Sequence, residues 1–236
     1  MPRQALSVTG STDSDGPTAG VPAGAGVVCL QGGVELTPLC ENMDRAVLDR
    51  SGRDVAVLAG AARPGTDYAG ALARARSHYE RLGARLVHVP DPRDDLEGAL
   101  AVLDAQIDLV VMPGGSPGLL REVLIELGAG AIGQRLVARW RSGVALSGAS
   151  AGAMLLCAQT VVPGHAGLAS GLGVVAGVAV PHWTRGSETQ WSLPADAQLW
   201  GLPECGGVLI DHDSVVAVGL GEPSIGVGGQ WSSIQR

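Results

Sequence analysis

The residues with the most chemistry to offer sit in the octapeptide LSGASAGA, residues 146–153, which contains Gly148, Ser150 and Gly152 and so spells G-x-S-x-G. An apolar strand candidate ends at Leu146, and the apolar run MLLCA follows at 154–158. A nucleophile elbow requires this order. The chain turns sharply from strand to helix, large neighbouring side chains would collide in the turn, and the serine hydroxyl is left at the edge of the sheet. Backbone N–H groups of the new helix then point at a developing oxyanion. The plainer reading is a glycine turn that lets strand and helix pack closely, in a chain with 36 glycines.

A serine nucleophile needs a base, and the chain has five histidines. His78 falls in a helical pattern and reads as solvated. His88 falls in a strand pattern and reads as a core or edge histidine. His165 lies in the loop VPGHAG. His182 ends an apolar strand, just after Pro181, and is the first candidate for the base. His212, at the tip of a hairpin, is the second. The residue after the nucleophile, Ala151, is the natural first oxyanion donor. The second is expected from the glycine turn PGGS at 113–116, with Gly115 preferred and Gly114 as the alternative; glycine lets the backbone approach a substrate closely.

The elements that must position these residues are legible from their periodicity. VVCL (27–30), DVAVLAG (54–60), ARLVHVP (84–90), DLVVMPGG (108–115) and GVALSGAS (143–150) are short, apolar and bounded by Gly or Pro, as buried parallel strands are. Between them, Tyr68, Leu72, Ala75, Tyr79 and Leu82 draw one helical stripe over 67–83, and Leu96, Leu100 and Leu103 another over 94–104. Ser116 caps a third helix with Pro117 at its first position, and Gly128 ends it. Strand and helix in alternation predict an α/β fold: a doubly wound, mostly parallel sheet with helices on both faces, whose ligands bind at the carboxyl ends of the strands. GVVAGVAVPHW (173–183) reads as a further strand and GVLIDHDSVVAVG (207–219) as a C-terminal β-hairpin with Asp211, His212 and Asp213 at its tip. Residues 1–26, rich in Gly, Ser, Thr, Pro and Asp, read as a disordered arm, and 27–236 as one domain.

Composition bounds the partners. A net charge of −7 and 3% aromatic residues argue against nucleic acid and anionic membranes. No apolar run approaches the roughly 20 residues that span a bilayer. Cys29, Cys40, Cys157 and Cys205 form no C-x-x-C pair, which favours a reduced, cytoplasmic setting. Homodimerisation is left open.

The segments LQGGVE, VAVLAGAARPG, VVMPGGSPGLL, LSGASAGAM and AVPHW, in this order, resemble the serine peptidase family of dipeptidase E and cyanophycinase. That family shares the flavodoxin-like sheet of class I glutamine amidotransferases. The resemblance runs from about 27 to 219. It implies Ser150 as nucleophile, His182 as base, and Gly115 and Ala151 as oxyanion donors. It also implies cleavage of a peptide bond next to an acidic or otherwise unusual residue, with no metal or organic cofactor; the substrate is read here as a small peptide or amide. The family pattern I-D-E-D-T reads IDHDS here, so His212 or Asp211 is expected to orient His182, with Asp213 and His165 as further options. Arg185 stands where the family binds a substrate carboxylate, and Trp183 and Trp191 point to a more apolar pocket. A serine hydrolase is the leading reading. An acyltransferase using the same serine and a non-catalytic binding domain of the same fold are the alternatives. An ordinary α/β-hydrolase esterase is disfavoured, because only 32 residues separate Ser150 from His182.

Overall fold

In the computed structural model of the chain, which describes residues 21–164, 166–187, 193 and 196–236, two sheets are joined through a short helix. The first sheet has seven strands: β1 (Val28–Gln31), β2 (Asp54–Val57), β3 (Arg85–His88), β4 (Leu109–Met112), β5 (Ala145–Ala149), β10 (Gly206–Ile210) and β11 (Val215–Gly219). Their spatial order is β11-β10-β1-β5-β4-β2-β3. The first five strands in sequence run parallel, and β10 and β11 add the expected hairpin antiparallel to β1.

Alternation along the strands divides the core. Val28, Leu30, Val110 and Leu146 face α3 (Leu96–Asp104), α5 (Ala131–Arg141) and α6 (Ala151–Leu156). Cys29, Val55, Val57 and Leu109 face α1 (Glu41–Ser51) and α2 (Thr66–Arg81). Both faces are covered, which is why the strands read as continuous apolar runs.

The second sheet is not foreseen in the sequence reading. It has six strands: β6 (Cys157–Val161), β7 (Leu168–Ser170), β8 (Val175–Pro181), β9 (Leu199–Leu202), β12 (Ser224–Val227) and β13 (Gln230–Ser233). Their order is β13-β12-β9-β8-β6-β7. The helix α6 leads out of β5 directly into β6, so it joins the two sheets.

Two further differences stand out. The helix that Ser116 caps, through a bond accepted from the Leu119 N–H, is α4 (Pro117–Arg121). It loosens into a π-turn over Glu122–Glu126, and Gly128 and Ala129 turn left-handed before α5 begins. Residues 21–26, expected within the arm, pack on the body: Val21 is buried, and Trp140 of α5 donates its indole N–H to Gly26 O at 2.8 Å. Residues 1–20 of that arm lie outside the described residues.

Candidate active site

Ser150 follows β5 with φ 47 and ψ −108, a conformation that costs a non-glycine residue on the order of 1–3 kcal/mol. Its neighbours hold it there. The Ser150 N–H donates to Gln31 O at 2.9 Å, and Ser150 O accepts from the Met154 N–H as α6 begins. The two flanking glycines are steric necessities. A side chain on Gly148 would meet the Gly152 backbone at 2.4 Å, and one on Gly152 would meet Met112 O at 2.1 Å. The turn is therefore packed against itself and against β4, as a strained elbow must be.

His182 follows β8, in the second sheet. Its Nε2 lies 3.2 Å from Ser150 Oγ. Its Nδ1 lies 3.2 Å from Glu204 Oε1, in the turn between β9 and β10. These partners assign the tautomer: Nδ1–H donates to the carboxylate, and Nε2 is left to accept the serine hydroxyl. His182 and Cys205, the residue after Glu204, also carry left-handed backbones, with φ 52 and 54. The turn Gly32–Gly33 after β1 clasps both. Gly32 O accepts from the His182 N–H at 2.9 Å, and Gly33 O accepts from the Cys205 N–H at 3.1 Å. A side chain at Gly33 would strike His182 Cε1 at 2.3 Å, so the imidazole rests on bare backbone. The first sheet thus supplies the serine, the second the histidine, and the crossing between them the carboxylate.

The expected orienting groups are elsewhere. In the register of β1 with β10, Gln31 pairs Gly207 while Val28 pairs Ile210. The hairpin tip therefore lies at the amino ends of the parallel strands, and Ser150 at their carboxyl ends. His212 and Asp211 do not reach His182, which corrects that expectation. Instead the His212 N–H donates to Asp211 Oδ1 at 2.8 Å, which holds the Asp211 carboxyl below its ordinary range. Donor atoms of Asp211, His212 and Asp213 lie within 4.8 Å of one another, the one grouping among the described residues able to hold a metal ion. It is exposed and remote from Ser150. His165 and Trp191 lie outside the described residues.

The remaining residues sort by position. Ala151 is buried at the first position of α6, where a backbone N–H has no acceptor within the helix. Of the two glycines of PGGS, Gly114 lies against Ser150, but its N–H already donates to Glu35 Oε1 at 2.7 Å. Gly115 follows it. Glu35 has no signal in the sequence reading, and it faces the serine across Gly114. Arg185 is exposed on the turn after Trp183. Trp183 is only 9% exposed and stacks on Trp231, so it presents little surface to a ligand, contrary to its expected role as a pocket wall. His78, expected to be solvated, is buried against Asp44. Burial pushes the Cys157 thiol up to about 12, so it is no rival nucleophile.

A cleft of about 530 Å³ opens beside this constellation, lined by Glu35, Arg63, Arg74, Gly114, Gly115 and Ser116 among others. A larger hollow of about 670 Å³ lies on the outer face of α2, around Arg76, Glu80 and His88, and touches none of the residues above.

The family model for peptidase family S51 matches residues 28–218, from the start of β1 into β11. Two solved structures are similar. One is a peptidase from an acI-B1 Actinobacterium, with a TM-score of 0.76 and 21% identity over 89% of this chain and 94% of that one. The other is a putative peptidase E protein from Listeria monocytogenes EGD-e, with a TM-score of 0.58 and 13% identity over 84% of this chain and 100% of that one. No curated protein matches the sequence. At these identities the two structures speak for the fold. No helix among the described residues is long and apolar enough to cross a membrane.

Proposed function

The chain belongs to peptidase family S51, a serine peptidase family, and from that premise we propose that it hydrolyses a small peptide or amide through an acyl-enzyme on Ser150. The observation that carries this reading is the unbroken relay of two 3.2 Å contacts, Ser150 Oγ to His182 Nε2 and His182 Nδ1 to Glu204 Oε1.

The steps follow from that relay. Ser150 Oγ attacks the scissile carbonyl while His182 Nε2 takes the hydroxyl proton. Glu204 keeps Nδ1 protonated and offsets the charge that develops on the ring. The oxyanion is assigned to the N–H groups of Gly115 and Ala151, since the Gly114 N–H is already engaged. His182 then returns its proton to the leaving amine, and the acyl-enzyme forms. Water enters, loses a proton to the same imidazole and releases the acid and the free serine. His182 and Glu204 are 51% and 60% exposed, which favours water over a specific amine as the acceptor and so hydrolysis over acyl transfer. Arg185 is assigned to a substrate carboxylate on the His182 side. The cleft with Glu35 and Arg63 receives the other end of a small, polar substrate.

The reading is tested by an alkyl fluorophosphonate, which reacts with an activated serine. The purified protein is expected to take one equivalent, at Ser150, and Ser150→Ala to take none. Mass-spectrometric screening of short peptide pools then defines the substrate. A well-folded protein that takes no label returns the chain to the non-catalytic alternative.

A further inference from the structure

The family match ends at residue 218, the chain continues through β12 and β13, and one side chain of this segment reaches back to the neighbour of His182. Trp231 on β13 lies opposite Gly226 of β12, and Ser224 of β12 lies opposite Gly201 of β9. The Trp231 ring crosses β12 and meets the Trp183 ring, centroid to centroid at 5.1 Å with the planes 31° apart. Trp183 is the residue after His182.

Two missing side chains make this contact possible. A Cβ on Gly201 would lie 2.8 Å from the Trp183 ring and 2.9 Å from the Trp231 ring. A Cβ on Gly226 would lie 2.9 Å from the Trp231 ring. Both indoles are thus seated on bare backbone of the second sheet. The Trp183 N–H also donates to Leu202 O at 2.9 Å, so Trp183 is held at its backbone by β9 and at its ring by β13.

His182, directly before it, needs such an anchor. Its φ of 52 is intrinsically unfavourable and its ring is half-exposed, so its hold rests on the Gly32–Gly33 turn on one side and on the residue that follows it on the other. A tilted aromatic contact of this kind adds attraction beyond area burial, and it acts on the residue next to the strained backbone.

We propose that Trp231 is a positioning residue for the base: it clamps Trp183 against β9 and so keeps His182 in the strained backbone that aims Nε2 at Ser150. The proposal rests on the acyl-enzyme reading above. It makes the C-terminal hairpin β12–β13 part of the catalytic apparatus without touching the reacting atoms.

The experiment measures fluorophosphonate labelling as a saturation curve, separating the limiting rate kinact from the half-saturation concentration KI, with the fraction of active protein titrated in each sample. Trp231→Ala is expected to lower kinact on the order of tenfold with KI unchanged, because a misplaced catalytic group costs rate and not binding. Trp231→Phe, which keeps a ring, is expected to restore most of kinact. Gly226→Ala, which lifts the indole from its seat, is expected to lower it again. A merely structural role would reduce the titratable fraction or the melting temperature while leaving kinact of the active fraction alone, and that result overturns the proposal. If Trp231→Ala does not fold, wild-type kinact in Gly226→Ala, whose added Cβ displaces the indole, overturns it equally. Failure of the wild-type protein to label at all sinks the acyl-enzyme reading itself, a distinct outcome.

Discussion

His78 meets Asp44 at 2.7 Å with side chains 0% and 2% exposed, whereas His182 meets Glu204 at 3.2 Å with side chains 51% and 60% exposed. The shorter pair is the one buried away from Ser150 and outside the proposed mechanism. Asp44 also accepts from Gln31 Nε2 at 2.8 Å and from the Tyr79 hydroxyl, and Arg81 reaches the other nitrogen of His78. Gln31 in turn donates to Ser147 Oγ. A buried charge is tolerated only when its partners are complete, and this network completes them. It ties α1 and α2 to the carboxyl ends of β1 and β5, beneath the elbow. The exposed pair has the opposite build: two residues from turns, left-handed backbone at or next to each, one contact apiece, and a serine hydroxyl within reach. Bond length therefore does not separate the histidine proposed as the base from one held in a buried network. Strain, access and the third partner do.

The widest separation between the two pairs is in rate. Ser150→Ala is expected to reduce peptide hydrolysis by about 10⁴-fold or more, and Glu204→Gln to reduce kcat/KM by roughly 10²-fold, since water partly replaces an exposed carboxylate. Both variants are expected to melt within a degree or two of wild type. A Glu204→Gln enzyme with full activity would strip Glu204 of its role and leave His182 without an orienting partner among the described residues.

Asp44→Asn is expected to do the reverse. It places an amide donor among the Gln31, Tyr79 and His78 groups that now converge on a carboxyl. Breaking a buried pair in this way costs about 3 kcal/mol, which for a chain of this size lowers the melting temperature by roughly 6–12 °C. The protein that remains folded should label Ser150 at close to the wild-type kinact. A large fall in kinact with little loss of stability would erase the distinction between the pairs.

The elbow and His182 were legible because each has a local mechanical reason. Small residues are forced where a strand turns into a helix, and a histidine after Pro181 marks a strand end. The five parallel strands were legible from apolar runs bounded by Gly or Pro. Glu204 was not, because it is a single carboxylate in the turn LPEC, and only the passage of the chain from the second sheet back to the first brings it beside His182. The signal available was its place between a strand end and a Gly-Gly strand start. Of the second sheet only β8 was legible, as the run 173–183; the other strands mix apolar residues with Gln, Ser, Thr and Gly and show no continuous apolar run. The helix α5 has a clear stripe, Ile132, Leu136 and Trp140, but it starts from the left-handed Gly130 without a side-chain cap. His78 was misread because the polar partner that makes its burial tolerable, Asp44, lies 34 residues away in sequence.

A smaller effect tests both halves of the buried core through pH. Burial pushes Cys157 and Cys40 up to about 12, and Tyr68 and Tyr79 also move upward. For an acid whose value is raised by folding, the unfolded chain ionises first. The stability is thus complete below the ordinary thiol value of 9.0 and declines as the pH climbs from there towards 12. The melting temperature is expected to fall between pH 8 and pH 10, and less so in Cys157→Ala. Native protein at pH 8 should resist iodoacetamide, which reacts fully once urea is added. Rapid alkylation of the native protein would mean that the core around the reacting thiol opens readily.

The smallest expected effect is at the third histidine–carboxylate contact, His212 with Asp211, which the sequence pattern favoured for the triad. The pairing of Val28 with Ile210 puts this tip at the far end of β1 from Ser150, and a four-residue strand spans about 13 Å. A charge at that distance, across solvent and half-exposed, is screened almost entirely. His212→Ala is expected to leave kcat/KM within about twofold, equivalent to roughly 0.4 kcal/mol. At pH 7 its stability should change by less than about 0.5 kcal/mol. Only at acid pH should a difference emerge. The lowered Asp211 value contributes stability above the ordinary carboxyl range and loses it as the pH falls, and much of that comes from the His212 backbone N–H, which alanine retains. A tenfold loss of activity in His212→Ala would require the hairpin to run the other way along β1, and with it the assignment of Glu204 would fall.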